Sequence, residues 1–316
     1  MGRFCALFLF SAVHLFGNVN QPSLDQVQVI QSTDQVSNQE KDSSEVMGVE
    51  QQKVPATEEA PLKTAPIKPD EPQSFKLMPH KAIYEIQLHP RKKPNDPTVR
   101  NVTGRGSIEL VKTKEGWVYN QNLEVQIHYY DGTTTAIERN IASWESPTEV
   151  SFHIENFRDG ASESLLQGGA ELTDEGGWRV YFQKPEMDGF ITDQHLVFPI
   201  GHLEKILEII EKGKNILSDQ IVFDATYEVH EPVRINTIIT PLKDKKVSLK
   251  DKSLLPSSKI WRLQEALYDL QSSNPVPDYE ESNIDLFSTG VISAMETTWG
   301  EGITVVLKLK ELTVYQ

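Results

Sequence analysis

The chain has 316 residues, with 31 basic and 46 acidic side chains and a formal net charge of −15. This acidity argues against binding to nucleic acid or to an anionic membrane surface. The length is sufficient for one large domain with a substantial core. The single cysteine, Cys5, lies in an apolar N-terminal run, so the exported chain is expected to contain neither a disulfide nor a reactive thiol.

Residues 1–17 are predicted to be a signal peptide. Arg3 precedes an apolar run from Phe4 to Phe10, which is the arrangement of a secretory leader. A retained membrane anchor is the alternative, but the run is shorter than the roughly 20 residues that cross a bilayer. We therefore expect export, with no stable membrane span once the leader has been removed.

Residues 18–75 are predicted to form a disordered linker. They are rich in Gln, Ser and Pro, they hold four lysines against ten acidic residues, and Phe75 is their only aromatic residue. Such a composition buries too little apolar surface to offset the entropy of ordering the chain. Residues 76–316 are then left for one large all-β domain.

Alternating apolar and polar residues predict β-strands through most of residues 76–316. The clearest case is Leu123–Tyr129, and the same alternation recurs around Phe152, Val180 and Val305. Turns containing glycine separate the strands at Glu115-Gly116, Asp131-Gly132, Asp159-Gly160, Gly176-Gly177, Asp188-Gly189 and Gly300-Glu301-Gly302. Short turns of this kind favour hairpins, so we expect mainly antiparallel pairing.

One segment has a helical pattern instead of an alternating one. Its apolar stripe consists of Ile200, Leu203, Ile206, Leu207 and Ile210. This spacing predicts an amphipathic helix at about residues 199–213. Pro199 suits the first helical turn, and Gly213 supplies a stop signal.

The last strand contains a change of phase. Alternation through Ile303–Leu309 continues in the opposite phase from Leu312. An extra residue in the strand produces such a change, so we expect a β-bulge near Lys310 or Glu311. Earlier in the chain, Lys243–Ser258 is rich in lysine and has no period, which predicts an exposed loop.

These elements predict an all-β fold with a single α-helix. Roughly a dozen or more antiparallel strands seldom remain one flat, open sheet. We expect them to curl into a large β-spiral or broken barrel. A lone helix cannot bury its apolar stripe by itself, so it is expected to cover an opening of the sheet or to fill its interior.

No group of residues predicts a catalytic, cofactor-binding or metal-binding site. His195 and His202 are neighbours, but they lack the spacing that places two ligands on one helical face, and we expect them to face solvent or to cap the helix. Glu186, Asp188 and Asp193 were considered as an acid/base set. All three lie near turns or on a solvent face, where acidic residues are common without a chemical role.

The tryptophan residues allow two interpretations. The five tryptophans are Trp117, Trp144, Trp178, Trp261 and Trp299. Such residues line apolar interiors that bind hydrophobic ligands, and they also pack in ordinary cores. Core packing is the more common role.

Seven short segments between residues 77 and 314 carry a family resemblance. They are Pro79–Ile86, Lys114–Trp117, Phe182–Glu186, Val197–His202, Val222–Asp224, Pro277–Glu280 and Leu286–Val291. In this order they resemble motifs of the EipB-like cell-envelope integrity proteins, long catalogued only as a domain of unknown function. Val197–His202 is the most specific segment, because it is similar to the Phe-Pro-Thr-x-His motif that begins the family's helix.

The resemblance implies a soluble periplasmic protein of Gram-negative bacteria that is needed for envelope integrity. It implies a many-stranded β-spiral or broken barrel around one helix, and it implies no known catalytic residue. The family also has a pair of cysteines. Lys114 stands at the first cysteine position and the chain ends at Gln316 before the second, so here the fold is expected to be held by packing alone.

Three functions compete at this point. The first is a non-enzymatic envelope factor that acts through protein partners, and the second is a carrier of a lipid or another hydrophobic ligand in the barrel interior. The third is an enzyme, which we do not expect. A continuous interior cavity favours the carrier, whereas a filled interior with an exposed edge strand favours partner binding.

Overall fold

The computed structural model of the chain describes residues 75–92, 94, 96–192, 195–224, 231–243, 259–270, 282–299 and 302–315. The predicted signal peptide at 1–17 and the predicted linker up to residue 74 lie outside the described residues, as do residues 244–258 of the predicted loop. In chain order the elements are β1 (His80–Leu88), β2 (Val99–Lys112), β3 (Trp117–Tyr129), β4 (Thr134–Glu145), β5 (Glu149–Arg158), β6 (Ala161–Leu172), β7 (Trp178–Lys184), β8 (Met187–Thr192), β9 (Leu196–Val197), α1 (Pro199–Glu211), β10 (Ile216–Val222), β11 (Val233–Leu242), β12 (Ile260–Asp269), β13 (Ser282–Phe287), β14 (Ile292–Trp299) and β15 (Ile303–Val314).

All of these strands belong to one sheet whose two edges are β8 and β9. One arm of the sheet runs from β1 through β2 to β8, and the other runs from β15 back to β9. Neighbouring strands are antiparallel except in the β9–β10 pair, which brackets α1. The sheet forms a nearly closed barrel with one seam, which confirms the predicted all-β broken barrel of a dozen or more strands.

The alternating pattern places one face of each strand in the barrel interior. In β3, Leu123, Val125 and Ile127 are each 2% exposed, whereas Glu124 and Gln126 between them are exposed. Burial of such a side chain contributes about 1.5–3 kcal/mol relative to leaving it in water. The period of two therefore determines both the strand conformation and the face that forms the core.

Strand β15 contains the predicted bulge. Ile83 and Tyr84 are adjacent in β1, but their partners in β15, Glu311 and Leu309, are separated by one residue. Lys310 is the extra residue, and its insertion changes the phase of the side chains that follow. The bulge is therefore confirmed at one of the two positions that the sequence indicated.

The glycine turns at Gly116, Gly132, Gly160 and Gly176 are confirmed, whereas Gly300 and Glu301 of the last predicted turn lie outside the described residues. Positive φ angles are found in the turns at Gly132, Gly160 and Gly176. The predicted turn at Asp188-Gly189 is wrong, because the turn falls at residues 185–186 and Gly189 lies inside β8. A Cβ atom at Gly189 would lie 2.1 Å from the carbonyl oxygen of Val180, so close strand pairing requires glycine at this position.

Helix α1 spans Pro199–Glu211, close to the predicted range of 199–213. Gly213 has a φ of 67°, and the N–H groups of Gly213 and Lys214 donate to the carbonyl groups of Ile210 and Ile209, which ends the helix. The predicted apolar stripe is buried at Ile200, Leu203, Ile206, Leu207 and Ile210. Within the described ranges, no helix has the length and apolarity needed to cross a membrane.

Most of the tryptophans pack in the core. Four of them are buried, namely Trp117, Trp178, Trp261 and Trp299. Trp144 is only half-buried, because in β4 it alternates with the inward-facing residues Ser143 and Glu145. Core packing is thus the structural role of four of the five residues.

The strand register brings the turn at Lys114 and the end of β15 to the same end of the barrel. Leu110 of β2 and Val314 of β15 are both paired with His80 of β1. Strand β2 continues to Lys112 and the β2–β3 turn follows it, so β1 alone lies between β15 and the strand that leads to Lys114. This agrees with the position at which the family resemblance implies a cysteine pair.

Candidate functional site

The seam of the barrel lies between the two edge strands. Among the described residues, β8 pairs with β7 alone and β9 pairs with β10 alone. Strand β8 contributes six residues to its edge, whereas β9 contributes only two. An edge strand presents backbone hydrogen-bonding groups on one side, which another strand can pair with. We therefore take the edge of β8 as the candidate site.

Strand β8 places apolar side chains on both of its faces. Phe190 is half-buried and contacts Phe223, with 5.6 Å between the ring centroids. Ile191 is 67% exposed, and among the large hydrophobic side chains of the described residues only Tyr130 is more exposed. An exposed isoleucine beside an open backbone edge is the kind of surface that a partner segment covers.

Aromatic side chains close the seam from inside. Phe223 follows β10 and lies 5.8, 6.2 and 5.6 Å from the ring centroids of Phe152, Phe182 and Phe190 in β5, β7 and β8. Phe198, before α1, also contacts Phe223. Each tilted or edge-to-face pair contributes about 0.5–1.5 kcal/mol beyond its area burial. The two arms of the sheet are thus joined at the seam by side chains and not by a strand ladder.

Glu145 holds the N-terminus of α1 against β4. The N–H of Ile200 donates to the two carboxyl oxygens at 3.0 and 3.1 Å, and the N–H of Gly201 donates to one of them at 3.2 Å. The residue before the helix, Phe198, provides no side-chain cap, so a carboxyl group from a distant strand satisfies these donors. Burial raises the pKa of Glu145 to about 8, although both hydrogen bonds act in the opposite direction.

His202 faces the interior, so the prediction that it faces solvent or caps the helix is wrong. It is fully buried, because it lies one helical turn before Ile206 on the buried side of α1. Its Nε2 lies 3.4 Å from a carboxyl oxygen of Glu265 in β12, and the Thr237 hydroxyl donates to the same oxygen at 3.5 Å. His195, in contrast, is exposed.

Two further contacts complete the attachment of the helix. The indole Nε1 of Trp117 in β3 donates to Glu204 at 3.0 Å, and the Lys205 ammonium donates to Gln220 of β10 at 3.0 Å. Together with the contacts to β4 and β12, they fix α1 to both arms of the sheet. The helix therefore bridges the two arms in addition to filling the interior.

Arg139 of β4 is a second buried charge near the seam. It is 2% exposed and Asp224, which follows β10, is 1% exposed. Burial lowers the pKa of Arg139 to about 10, while the negative charge of Asp224 acts to raise it, as does Tyr119. A buried positive group on β4 and a buried negative group after β10 thus lie on opposite arms, and each compensates the charge of the other in the interior.

Two of the three acidic residues that the sequence offered as an acid/base set lie on the β7–β8 hairpin. Glu186 lies in the turn between β7 and β8, and Asp188 lies in β8 with its side chain exposed. Asp193 is outside the described residues. Among the residues that the structure describes, no group of three His, Cys, Asp or Glu side chains is arranged to hold a metal ion.

The buried ionic residues were missed in the sequence, although a signal was present. Arg139 and Glu145 occupy the positions of β4 that share a face with Ile137 and Ile141, and Glu265 shares the inward face of β12 in the same way. A charged residue at an inward position of a strand needs a buried partner. The alternation of β4 and β12, extended to these charged residues, assigns them to the inward face and would have predicted polar contacts in the interior.

Comparison with known proteins agrees with this architecture. A crystal structure of a β-barrel-like protein from Brucella abortus, belonging to a domain family of unknown function, aligns with a TM-score of 0.66 over 76% of this chain and 99% of that chain. Sequence identity is 21%, so this likeness concerns the fold. No curated protein matches the chain. A family model described as EipB-like matches residues 72–316, which is most of the sequence, and the chain therefore belongs to the EipB-like family.

Proposed function

We propose that this protein is a non-enzymatic periplasmic factor that maintains cell-envelope integrity by binding envelope proteins at the edge of β8. The observation that carries the proposal is the seam. Strand β8 has one strand neighbour among the described residues, and Ile191 projects from it with 67% exposure. A partner segment in extended conformation can pair with this edge through main-chain hydrogen bonds, while Ile191 supplies an apolar contact.

Membership of the EipB-like family supports the cellular role. The resemblance of its sequence motifs to those of the family implies a periplasmic protein needed for envelope integrity. The N-terminal sequence is consistent with export, since Arg3 precedes the apolar run Phe4–Phe10. Binding of envelope proteins is the simplest way for such a protein to act without chemistry of its own.

The packing of the interior favours partner binding over a carrier of a lipid or another hydrophobic ligand. Next to α1, the described residues leave a space of about 10 Å³, which is about the size needed for one water molecule. Its lining includes Tyr84, Tyr119 and Leu203, all of which are fully buried. An acyl chain does not fit in this space.

The placement of the perturbed ionisable groups supports a non-enzymatic role. Glu145 and Arg139 have pKa values displaced mainly by burial. Catalytic groups of this kind lie in clefts that a substrate can enter. Here Glu145 holds the helix and Arg139 lies beside Asp224 at the seam, so both are used within the fold.

The proposal is tested by crosslinking in living cells. A photoreactive amino acid is placed at Ile191 or, as a matched control, at Ile238. Ile238 is 51% exposed, but it lies in β11, which is paired on both sides. We expect the photoreactive group at position 191 to crosslink to discrete partner proteins. The group at position 238 should not crosslink to those proteins. Crosslinks to the same proteins at both positions, or no crosslinked protein at Ile191, would overturn partner binding at β8.

A lysine placed on the edge of β8 tests whether partner binding is needed for envelope integrity. Ile191→Lys should weaken pairing with a partner strand, because an exposed lysine opposes strand addition. We expect a strain carrying this variant to resemble a deletion strain in its sensitivity to detergent, whereas Ile238→Lys should behave as wild type. Both variants should keep the wild-type melting temperature. Full protection by Ile191→Lys would show that the edge is not used for envelope integrity.

A further inference from the structure

A groove lies at the end of the barrel where the chain enters β1. It has a volume of about 430 Å³, which is within the range of small-molecule sites. Its lining residues come from the lead-in to β1, the β2–β3 hairpin and α1, and they include Phe75–Leu77, Lys112, Trp117, Glu204 and Leu207. The groove shares no lining residue with the space beside Tyr84 and Tyr119, and it is formed by elements other than β8.

The floor of the groove is apolar and fixed in place. It contains the side chains of Leu77, Trp117 and Leu207, all of which are largely buried. Phe75 borders the groove, and its ring contacts that of Trp261 edge to face with 5.6 Å between centroids. The backbone next to Leu77 is held by a hydrogen bond from Met78 N–H to the Thr289 carbonyl at 3.0 Å. Such a floor suits a hydrocarbon chain and needs little rearrangement to receive one.

The rim of the groove carries two lysines. Lys76 and Lys112 are exposed, and the Lys112 ammonium lies 4.4 Å from the centroid of the Trp117 ring. Among the described residues, neither lysine forms an ion pair with a carboxylate. The acidic group on the rim, Glu204, accepts the hydrogen bond from the Trp117 indole. Two ammonium groups therefore border an apolar floor in a protein whose net charge is −15.

We propose that this groove binds a single-chain anionic amphiphile. The hydrocarbon chain would lie on Leu77, Trp117 and Leu207, and the carboxylate or phosphate head would lie between Lys76 and Lys112. Charge complementarity selects the head, because an anion is repelled by most of this acidic surface and attracted at this rim. Burial of the hydrocarbon chain supplies affinity, which increases with each CH₂ group removed from water.

Binding is tested by calorimetric titration of the complete chain with laurate below its micelle concentration. The matched probe is dodecyltrimethylammonium, which has a chain of the same length and a positive head. We expect saturable binding of one laurate per protein, at least tenfold tighter than that of the cation. Laurate should also change the fluorescence of the wild-type protein by an amount that is lost in Trp117→Phe, which locates the site.

Replacement of the two rim lysines distinguishes recognition of the anionic head from binding of the hydrocarbon chain alone. Lys76→Gln combined with Lys112→Gln should weaken laurate binding at least tenfold and leave binding of the cation unchanged or stronger. Lys308→Gln, an exposed lysine on β15 outside the groove, should bind laurate as the wild type does. All of these side chains are exposed, so the melting temperatures should not change.

Three results would overturn the proposal: no saturable binding of laurate, equal affinity for the two probes, or undiminished laurate binding in the double lysine variant. None of them concerns β8. A loss of crosslinking at Ile191 with laurate binding intact would reject the proposed partner site alone. Crosslinking at Ile191 without laurate binding would reject the proposed groove site alone.

Discussion

The barrel closes at two junctions that use different interactions. Strands β1 and β15 come from opposite ends of the domain and join in an antiparallel ladder along the whole of β1, interrupted by the bulge at Lys310. Strands β8 and β9 meet at the seam without pairing, and there the interior is closed by aromatic rings around Phe223. Backbone pairing thus joins the first and last strands of the domain, while side-chain packing and the helix hold the seam.

This difference has a functional consequence. A ladder satisfies the backbone groups of both strands, so the β1–β15 junction offers no edge to a partner. Packing across the seam leaves the edge of β8 unpaired among the described residues, and regions with fewer backbone hydrogen bonds open at a lower free energy. The seam is therefore the natural place for a binding function, and the β1–β15 junction is the stable one.

The largest effect is expected from a charge placed under the helix that bridges the two arms. Ile206 of α1 is 1% exposed. In Ile206→Asp an unpaired carboxylate would be buried at a cost of several kcal/mol, against a total stability of about 5–15 kcal/mol. We expect the domain to unfold or to expose hydrophobic surface, which is measured by circular dichroism and dye binding.

The matched control for that change is Glu208→Ala on the exposed side of the same helix. Glu208 forms an ion pair with Lys212 four residues away. Exposed pairs of this kind contribute about 0.3–0.5 kcal/mol, so the variant should unfold almost as the wild type does. Equal tolerance of both substitutions would mean that α1 does not hold the arms together.

Removal of the central ring should weaken the seam more than the ladder. Phe223→Ala is expected to cost about 3–5 kcal/mol, as is usual for deletion of a buried phenylalanine. Hydrogen exchange should accelerate first in β8 and β9, because their closure depends on this ring. In β1 and β15, protection from hydrogen exchange should decrease only by the amount that corresponds to the loss in the global free energy of unfolding. A uniform loss of protection would show that the two junctions open as one unit.

The third prediction concerns the pH dependence that Glu145 gives to the helix anchor. The pKa of this carboxyl is raised from 4.5 to about 8 by burial. Between these values the folded state keeps a proton that the unfolded chain has released. Stability should therefore fall as the pH rises from about 5 to about 8, by up to about 1.4 kcal/mol per pH unit.

Glu145→Gln should abolish that slope, because an amide does not titrate. The measurement is urea unfolding at pH 5, 6, 7 and 8 for the wild type and the variant. Glu211→Gln, an exposed residue at the end of α1, should retain the wild-type slope. Stability of the wild type that stays constant over this range would mean that the two backbone N–H groups hold the carboxylate in its charged form.

Local patterns in the sequence predicted most of the fold. A period of two identified the strands, and the phase change after Leu309 predicted the bulge at Lys310, because side-chain direction in a strand follows from position alone. The stripe along α1 predicted its buried face for the same reason. The error at Gly189 arose because a glycine required by close strand approach has the same appearance in a sequence as a glycine required by a turn.

The candidate site was less predictable because it depends on contacts between distant segments. Nothing local to β8 shows that it is an edge, since this follows from the order of all fifteen strands. Phe223 becomes the centre of an aromatic cluster only when β5, β7 and β8 meet it. The groove needs Lys76 and Lys112 on one rim, which the β1–β2 pairing provides.

The smallest expected effect tests the boundary between the linker and the domain beside the stable junction. The sequence predicted that residues 18–75 form a disordered linker, but the Phe75 ring packs against Trp261. A protein that begins at Phe75 should therefore unfold as the full chain does. A protein that begins at Lys76 should lose about 0.5–1.5 kcal/mol, the usual contribution of an edge-to-face aromatic pair, which lowers the melting temperature by roughly 2–4 °C per kcal/mol in a domain of this size.

The Phe75→Leu variant of the full chain should show a similar loss of stability, and hydrogen exchange at the seam should be unaffected in every case. If removal of residues 1–74 by itself lowers the melting temperature, residues before Phe75 also pack on the domain and the predicted boundary is wrong.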